Sequence, residues 1–291
     1  MTDSSKADEQ RLALGPGVIA ATSFAVSDTL AKLVFAGGGD VLTLALMRGV
    51  IGLALLFVFL RVGPPLKPDS GRTRLIGLAL GLLFAAVVYG LFEAIALITV
   101  PVAVLTYFVY PLLTGIGGFT FGVERLSLKG ALAAVVAFLG LALMIGAYPQ
   151  HLSMLGVAFA LGAAVSRAIF LLVARAELQD ADPRLTTWHS LVSSTALFAL
   201  AAAVTVNWQP PHNAVGWVSV LIVSIATASG ILMLYVSTRR IGPLRTALIM
   251  NLEPLLATLI SAPLLGEIIT PLQALGGAVM LGALVAFQVW C

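Results

Sequence analysis

The sequence predicts an all-α integral membrane protein of ten transmembrane helices, built as two inverted five-helix repeats. Three observations carry that expectation: the composition, the spacing of the apolar runs, and two internal matches at corresponding places. Of 291 residues, 60% are hydrophobic and 10% are charged, and the mean hydropathy is +1.06. A soluble domain carries roughly 25% charged residues, so this chain cannot cover a water-facing surface. Long apolar runs recur along its whole length, which makes it a polytopic membrane protein.

Apolar runs bounded by charge, Pro or Gly give ten spans: 14–36, 41–62, 75–98, 101–122, 128–147, 154–174, 185–206, 214–237, 243–264 and 271–290. About 20 residues at roughly 1.5 Å rise cross about 30 Å of hydrocarbon. Residues 1–13 are mostly polar and are expected as a cytoplasmic N-terminal segment. The first span is too long for the apolar core of a cleavable signal. Short loops leave no room for a soluble catalytic domain. The single cysteine, Cys291, excludes an intrachain disulfide and a Cys-based metal cluster.

Orientation follows from charge. Of the 16 Lys and Arg, 13 fall on one side: Lys6, Arg11, Arg61, Lys67, Arg72, Arg74, Arg125, Lys129, Arg175, Arg184, Arg239, Arg240 and Arg245. The alternate loops, such as "GGGD", "YPQHLS" and "NWQPPHN", hold none. The positive-inside rule then puts both termini in the cytoplasm, with the bacterial inner membrane as the expected location. Trp188 and Trp290 fall near the inner boundary, and Trp208 and Trp217 near the outer one, as an aromatic belt requires.

The repeat rests on two matches. "AVSDTLAKLV" (25–34) in span 1 answers to "AVSRAIFLLV" (164–173) in span 6, so Ser27 matches Ser166 and Asp28 matches Arg167. Span 4 holds "PVAVLTYFVYPLLTG" before Glu124, and span 9 holds "PLRTALIMNLEPLLAT" before Glu267. Pro111 precedes Glu124 by 13 residues, as Pro254 precedes Glu267. The first repeat is therefore 14–147 and the second 154–290. Five is odd, so the halves cross the membrane in opposite senses, a plan found in secondary transporters that bind substrate near the midplane. Mid-span Pro111 and Pro254 are expected to bend their helices.

Ten spans as five plus five, "RGVIGLALL" following an Arg in span 2, and the Pro…Glu…Gly pattern closing each half together resemble the EamA branch of the drug/metabolite transporter superfamily. Overall similarity further suggests the bacterial YddG-type exporters of aromatic amino acids. The resemblance implies a transporter with its substrate path between the halves.

Six charges lie inside the spans: Asp28, Lys32, Arg48, Glu93, Arg167 and Glu253. Embedded charges normally pair or face water, because an unpaired one costs at least about 2.5–3.5 kcal/mol on insertion scales. Asp28 and Lys32 stand at i,i+4 and suit pairing, either structural or as a coupling or gating pair. Arg48 and Arg167 are expected to be structural, each within reach of an interface, although Arg167 facing a cavity could meet a substrate carboxylate. Glu93 and Glu253 are candidates for proton coupling or for pairing with those bases. Tyr89, Phe92, Tyr107 and Tyr110 lie near span centres and could stack on a planar, apolar substrate, or simply pack the bundle. Ser27, Ser166 and Asn251 complete the candidate binding set. His189 lies just inside the cytoplasmic end of span 7, while His151 and His212 are expected in solvated outer loops.

No Walker loop, HExxH motif, nucleophile elbow or cluster of metal ligands appears. No cofactor, metal or catalytic residue is expected, and no ATPase subunit or nucleic acid is implied. The partners expected are a small metabolite and membrane lipid. The reading is a secondary exporter of aromatic or other apolar amino acids working by alternating access. Efflux of cationic drugs is the alternative, and an intramembrane enzyme the alternative of another class.

Overall fold

The computed structural model describes residues 3–124, 127–146, 153–206, 208–265 and 269–290. Arg125, His151, Glu267 and Cys291 lie outside the described residues, as do the side chains of Lys6, Arg11 and Trp290. Twelve helices occupy the described chain: α1 (Asp3–Ala36), α2 (Val41–Val62), α3 (Gly71–Leu97), α4 (Val100–Tyr107), α5 (Tyr110–Thr120), α6 (Leu128–Ile145), α7 (Met154–Glu177), α8 (Pro183–Thr205), α9 (Ala214–Ile241), α10 (Pro243–Ile249), α11 (Leu252–Leu265) and α12 (Pro271–Trp290). Among the described residues, nine segments are long and apolar enough to cross a membrane, and the apolar helix Pro271–Phe287 is a shorter tenth.

Short polar residues set the helix starts. Asp40, Ser70, Ser127, Ser153, Asp182 and Asn213 each accept a hydrogen bond from a backbone N–H in the first turn of the helix that follows. This satisfies donors that a helix N-terminus otherwise leaves unpaired. One start differs from expectation: α1 begins at Asp3, so the polar segment continues the first span as helix. Its Ala, Glu, Lys, Gln, Arg and Leu residues are good helix formers, and polarity ends a membrane span without ending a helix.

Spans 4 and 9 are each broken in two. Pro111 and Pro254 have no N–H to offer the carbonyl one turn back, so α4 stops at Tyr107 and α10 at Ile249. The chain tightens across each gap with three-residue hydrogen bonds. Val109 N–H donates to Thr106 O at 3.3 Å, Asn251 N–H to Leu248 O at 3.0 Å, and Glu253 N–H to Met250 O at 2.9 Å.

The two halves pack as an inverted repeat. Exchanging α1 with α7, α2 with α8, α3 with α9, α4–α5 with α10–α11 and α6 with α12 maps each major contact onto another. Thus α1 lies along α9 as α7 lies along α3, and α2 meets α9 as α8 meets α3. The contacts α2–α8 and α6–α12 map onto themselves. The last of these is a close crossing: a Cβ on Gly140 would stand 2.6 Å from Met280 N, and one on Gly276 2.7 Å from Gly140 O. "GLALG" (77–81) also marks a crossing, with a Cβ on Gly81 falling 2.7 Å from Ser190 Cα on α8. "GFTFG" (118–122) does not, for Gly122 sits in a turn with φ +67° and open space around it.

Candidate functional site

At the centre of the bundle, a cavity of about 280 Å³ lies between α1, α2, α3, α4, α7, α9 and α11. It draws on both halves, as an inverted repeat requires. Its lining includes Phe24, Phe84, Tyr107, Arg167 and Glu253, together with Asp28, Arg48 and Phe92, and reaches Phe35, Ile95 and Val100. These last three lie at the helix ends away from the basic loops. The lining is aliphatic and aromatic apart from Ser27, Tyr107 and the four charged groups.

Those groups come from four helices. Asp28 of α1 and Glu253 of α11 face each other in the cavity, and Arg48 of α2 and Arg167 of α7 are near enough to act electrostatically on Asp28. Arg167 is 3% exposed and does not reach an interface. Three aromatic rings hold it instead, with its guanidinium carbon 5.5 Å from the Phe24 centroid, 5.8 Å from that of Tyr110 and 5.7 Å from that of Phe170. Arg48 lies 5.9 Å from the centroid of Phe84. Both Arg residues are thus cavity groups, and neither is the snorkelling side chain that span position suggested. No sequence signal brings Arg48 and Arg167 together; only their embedded charge marks them.

Of the sequence candidates, Ser27, Asp28, Phe92, Tyr107 and Glu253 line the cavity. The Ser27 and Thr227 hydroxyls are 3.2 Å apart. Tyr110 is buried one layer behind, its hydroxyl donating to Ala247 O at 3.4 Å and its ring stacked 5.2 Å from Tyr107. Asn251 sits in the break before α11, 2% exposed. Its Oδ1 finds no protein donor.

Tyr89, Glu93, Lys32 and Ser166 do not line it. Tyr89 is 56% exposed, turned outward against the edge of Phe159 and in contact with Glu93. The reason is angular. The cavity face of α3 carries Phe84, Val87, Val88, Leu91, Phe92 and Ile95, and Tyr89 points about 100° round from Val88. Lys32 lies off the cavity, whereas Asp28 and Glu253 both line it.

Beneath the cavity, polar groups tie the basic end together. Arg184 donates to Asp182 at 2.6 Å and to the carbonyls of Pro64 and Pro65 at 2.7 and 3.0 Å. The same carboxylate accepts from Lys67 N–H at 3.4 Å. Asp69 pairs with His189 at 2.7 Å and Arg74 at 3.2 Å, and Arg72 with Glu177 at 2.5 Å. The hydrogen bonds from Arg184 hold the Asp182 carboxyl below the usual carboxylate range. Glu124, after α5, accepts from Leu244 N–H at 2.9 Å at the start of span 9, and burial pushes its carboxyl up. Gly242, with φ +88°, permits this contact, because a Cβ there would fall 2.8 Å from the Glu124 carboxyl carbon.

The profile of the EamA-like transporter family matches residues 12–146 and again 154–287, one copy per half. The chain belongs to the EamA-like transporter family. It is a multi-pass membrane protein of a family that transports small molecules. No curated protein matches it. Among solved structures, one described as "Crystal structure of protein" is 19% identical, covering 95% of this chain and 98% of its own, with a TM-score of 0.78. That likeness shows a shared fold.

Proposed function

We propose that this EamA-family protein is a secondary exporter of aromatic or other apolar amino acids that works by alternating access. The observation that carries the reading is the central cavity, which sets two guanidinium groups and two carboxyl groups among aromatic and aliphatic walls. A zwitterion with an apolar side chain complements all three features. The volume of about 280 Å³ lies at the small end of ligand sites, which run to about 1,000 Å³. Efflux of organic cations is disfavoured, because Arg48 and Arg167 face the same space as the carboxyl groups.

The basic loops argue for a cytoplasmic location of both termini, in the inner membrane of a bacterium. The cavity then extends toward the outside and is closed toward the cytoplasm. A proton held between the facing Asp28 and Glu253 carboxyl groups would draw them together, and a substrate ammonium would compete for the same oxygens. Export of the amino acid in exchange for a proton follows from that competition. Counterflow in proteoliposomes with labelled amino acids and organic cations, with and without a pH gradient, tests the reading. Phenylalanine or tryptophan is expected to exchange; movement of organic cations alone would remove this substrate class.

A further inference from the structure

Resting on the cavity as the transport site, we propose that Arg48 and Arg167 together form a carboxylate-receiving pole, so that an anionic group is the required feature of the cargo. The first support is unmet hydrogen bonding. Arg48 Nη2 and Arg167 Nε are buried with no protein acceptor, although Arg167 is 3% exposed. Buried donors are almost always satisfied, and a guanidinium presents five. Among the described residues, no ion pair within 4.0 Å engages either group.

The second support is how the groups are held. Rings of Phe24, Tyr110 and Phe170 surround Arg167, and Phe84 faces Arg48. Rings attract the charge of a guanidinium without meeting the need of its in-plane N–H groups for strong acceptors. A carboxylate meets those N–H groups with two parallel hydrogen bonds. The third support is charge. Two carboxyl groups and two guanidinium groups line one space, and any proton taken up by the facing carboxyl groups leaves the site net positive, which a monoanion balances. Arg48 belongs to the first half and Arg167 to the second, so a carboxylate held by both ties the halves together across the cavity.

The test uses the full-length protein and three probes: phenylalanine, 3-phenylpropionate and phenethylamine. Each is measured as a competitor of phenylalanine counterflow and, separately, for its effect on the thermal midpoint of the purified protein in detergent. The amino acid and the acid are expected to compete and to raise the midpoint, and the amine to be at least about tenfold weaker in both assays. Arg48→Gln is expected to bring the acid-to-amine ratio toward one. Arg167→Lys should do the same where it folds, and the half-buried Arg48 keeps the test open where it does not. An amine equal to the acid in the wild type, or an unchanged ratio in folded Arg48→Gln, overturns the pole while leaving transport intact. If counterflow fails but 3-phenylpropionate stabilises the wild type and not Arg48→Gln, the pole stands and the amino acid transport reading falls. Absence of stabilisation by either carboxylate overturns the pole.

Discussion

Two carboxyl groups from opposite halves, Asp28 and Glu253, line one cavity, and neither can be replaced by its amide without removing a group that can take up a proton there. Glu253→Gln is therefore expected to fold, yet to lose the dependence of transport on pH. Transport rates measured across a pH series check this, and a wild-type profile in the variant would remove Glu253 from coupling. At the basic end, Asp182 makes a prediction of the opposite kind. Arg184 and the backbone N–H groups hold its carboxyl below the ordinary value, which is near 3.9. Its contribution is full above that value and disappears as pH falls through the lower folded one. Asp182→Asn should cost about 1–3 kcal/mol at neutral pH, and the gap from wild type should close in strong acid. Denaturant titrations in detergent at both pH values would read it.

Among the elements, the crossing of α6 and α12 is the least tolerant of added volume. Gly140 faces Met280 N, and Gly276 faces Gly140 O, each within 2.7 Å of an added Cβ. Gly140→Leu or Gly276→Leu should push the helices apart and cost about 1–3 kcal/mol or more, seen as a thermal midpoint lowered by several degrees in detergent. Neither glycine is marked by a local motif, because the close approach belongs to the partner helix and not to its own. The helices themselves are legible from hydropathy, and their starts from Ser, Asp and Asn at the caps. Pro111 and Pro254 mark a bend in spans 4 and 9, but not that each span divides into two helices. Which face of each helix meets the cavity was not readable: Tyr107 lines it and Tyr110 sits behind it, separated by the break at Phe108 and Val109 that changes the helical register. That Asp28 faces Glu253 was equally hidden, because Lys32 at i,i+4 is the nearer partner in sequence and only the folded bundle brings α11 to α1.

At the scale of the whole molecule, the described ties at the two ends of the bundle differ in kind. Away from the basic loops they include neutral groups: Asp40 N–H to Gln209 O at 3.0 Å, His212 N–H to Gly37 O at 2.8 Å, and Gln209 N–H to the Thr43 hydroxyl at 2.9 Å. At the basic end charges dominate, and several are wet, with the Arg72 side chain 76% exposed and Arg74 61%. Exposed ion pairs weaken with salt, since the screening length falls from about 8 Å at 0.15 M to about 3 Å at 1 M, whereas neutral hydrogen bonds are little affected. Ionic strength should thus bias which end opens. Thr186→Cys in a Cys291→Ser background places a thiol at a site 1% exposed, beside the clamp that Arg184 and Asp182 form with the Pro64 and Pro65 carbonyls. Its alkylation by a polar maleimide is expected to speed up at about 1 M salt, and an unchanged rate would show that the clamp is held by packing instead. On the proposed alternating-access reading, the charges at the basic end then have a second effect: the salinity of the compartment they face becomes a control on the transport cycle.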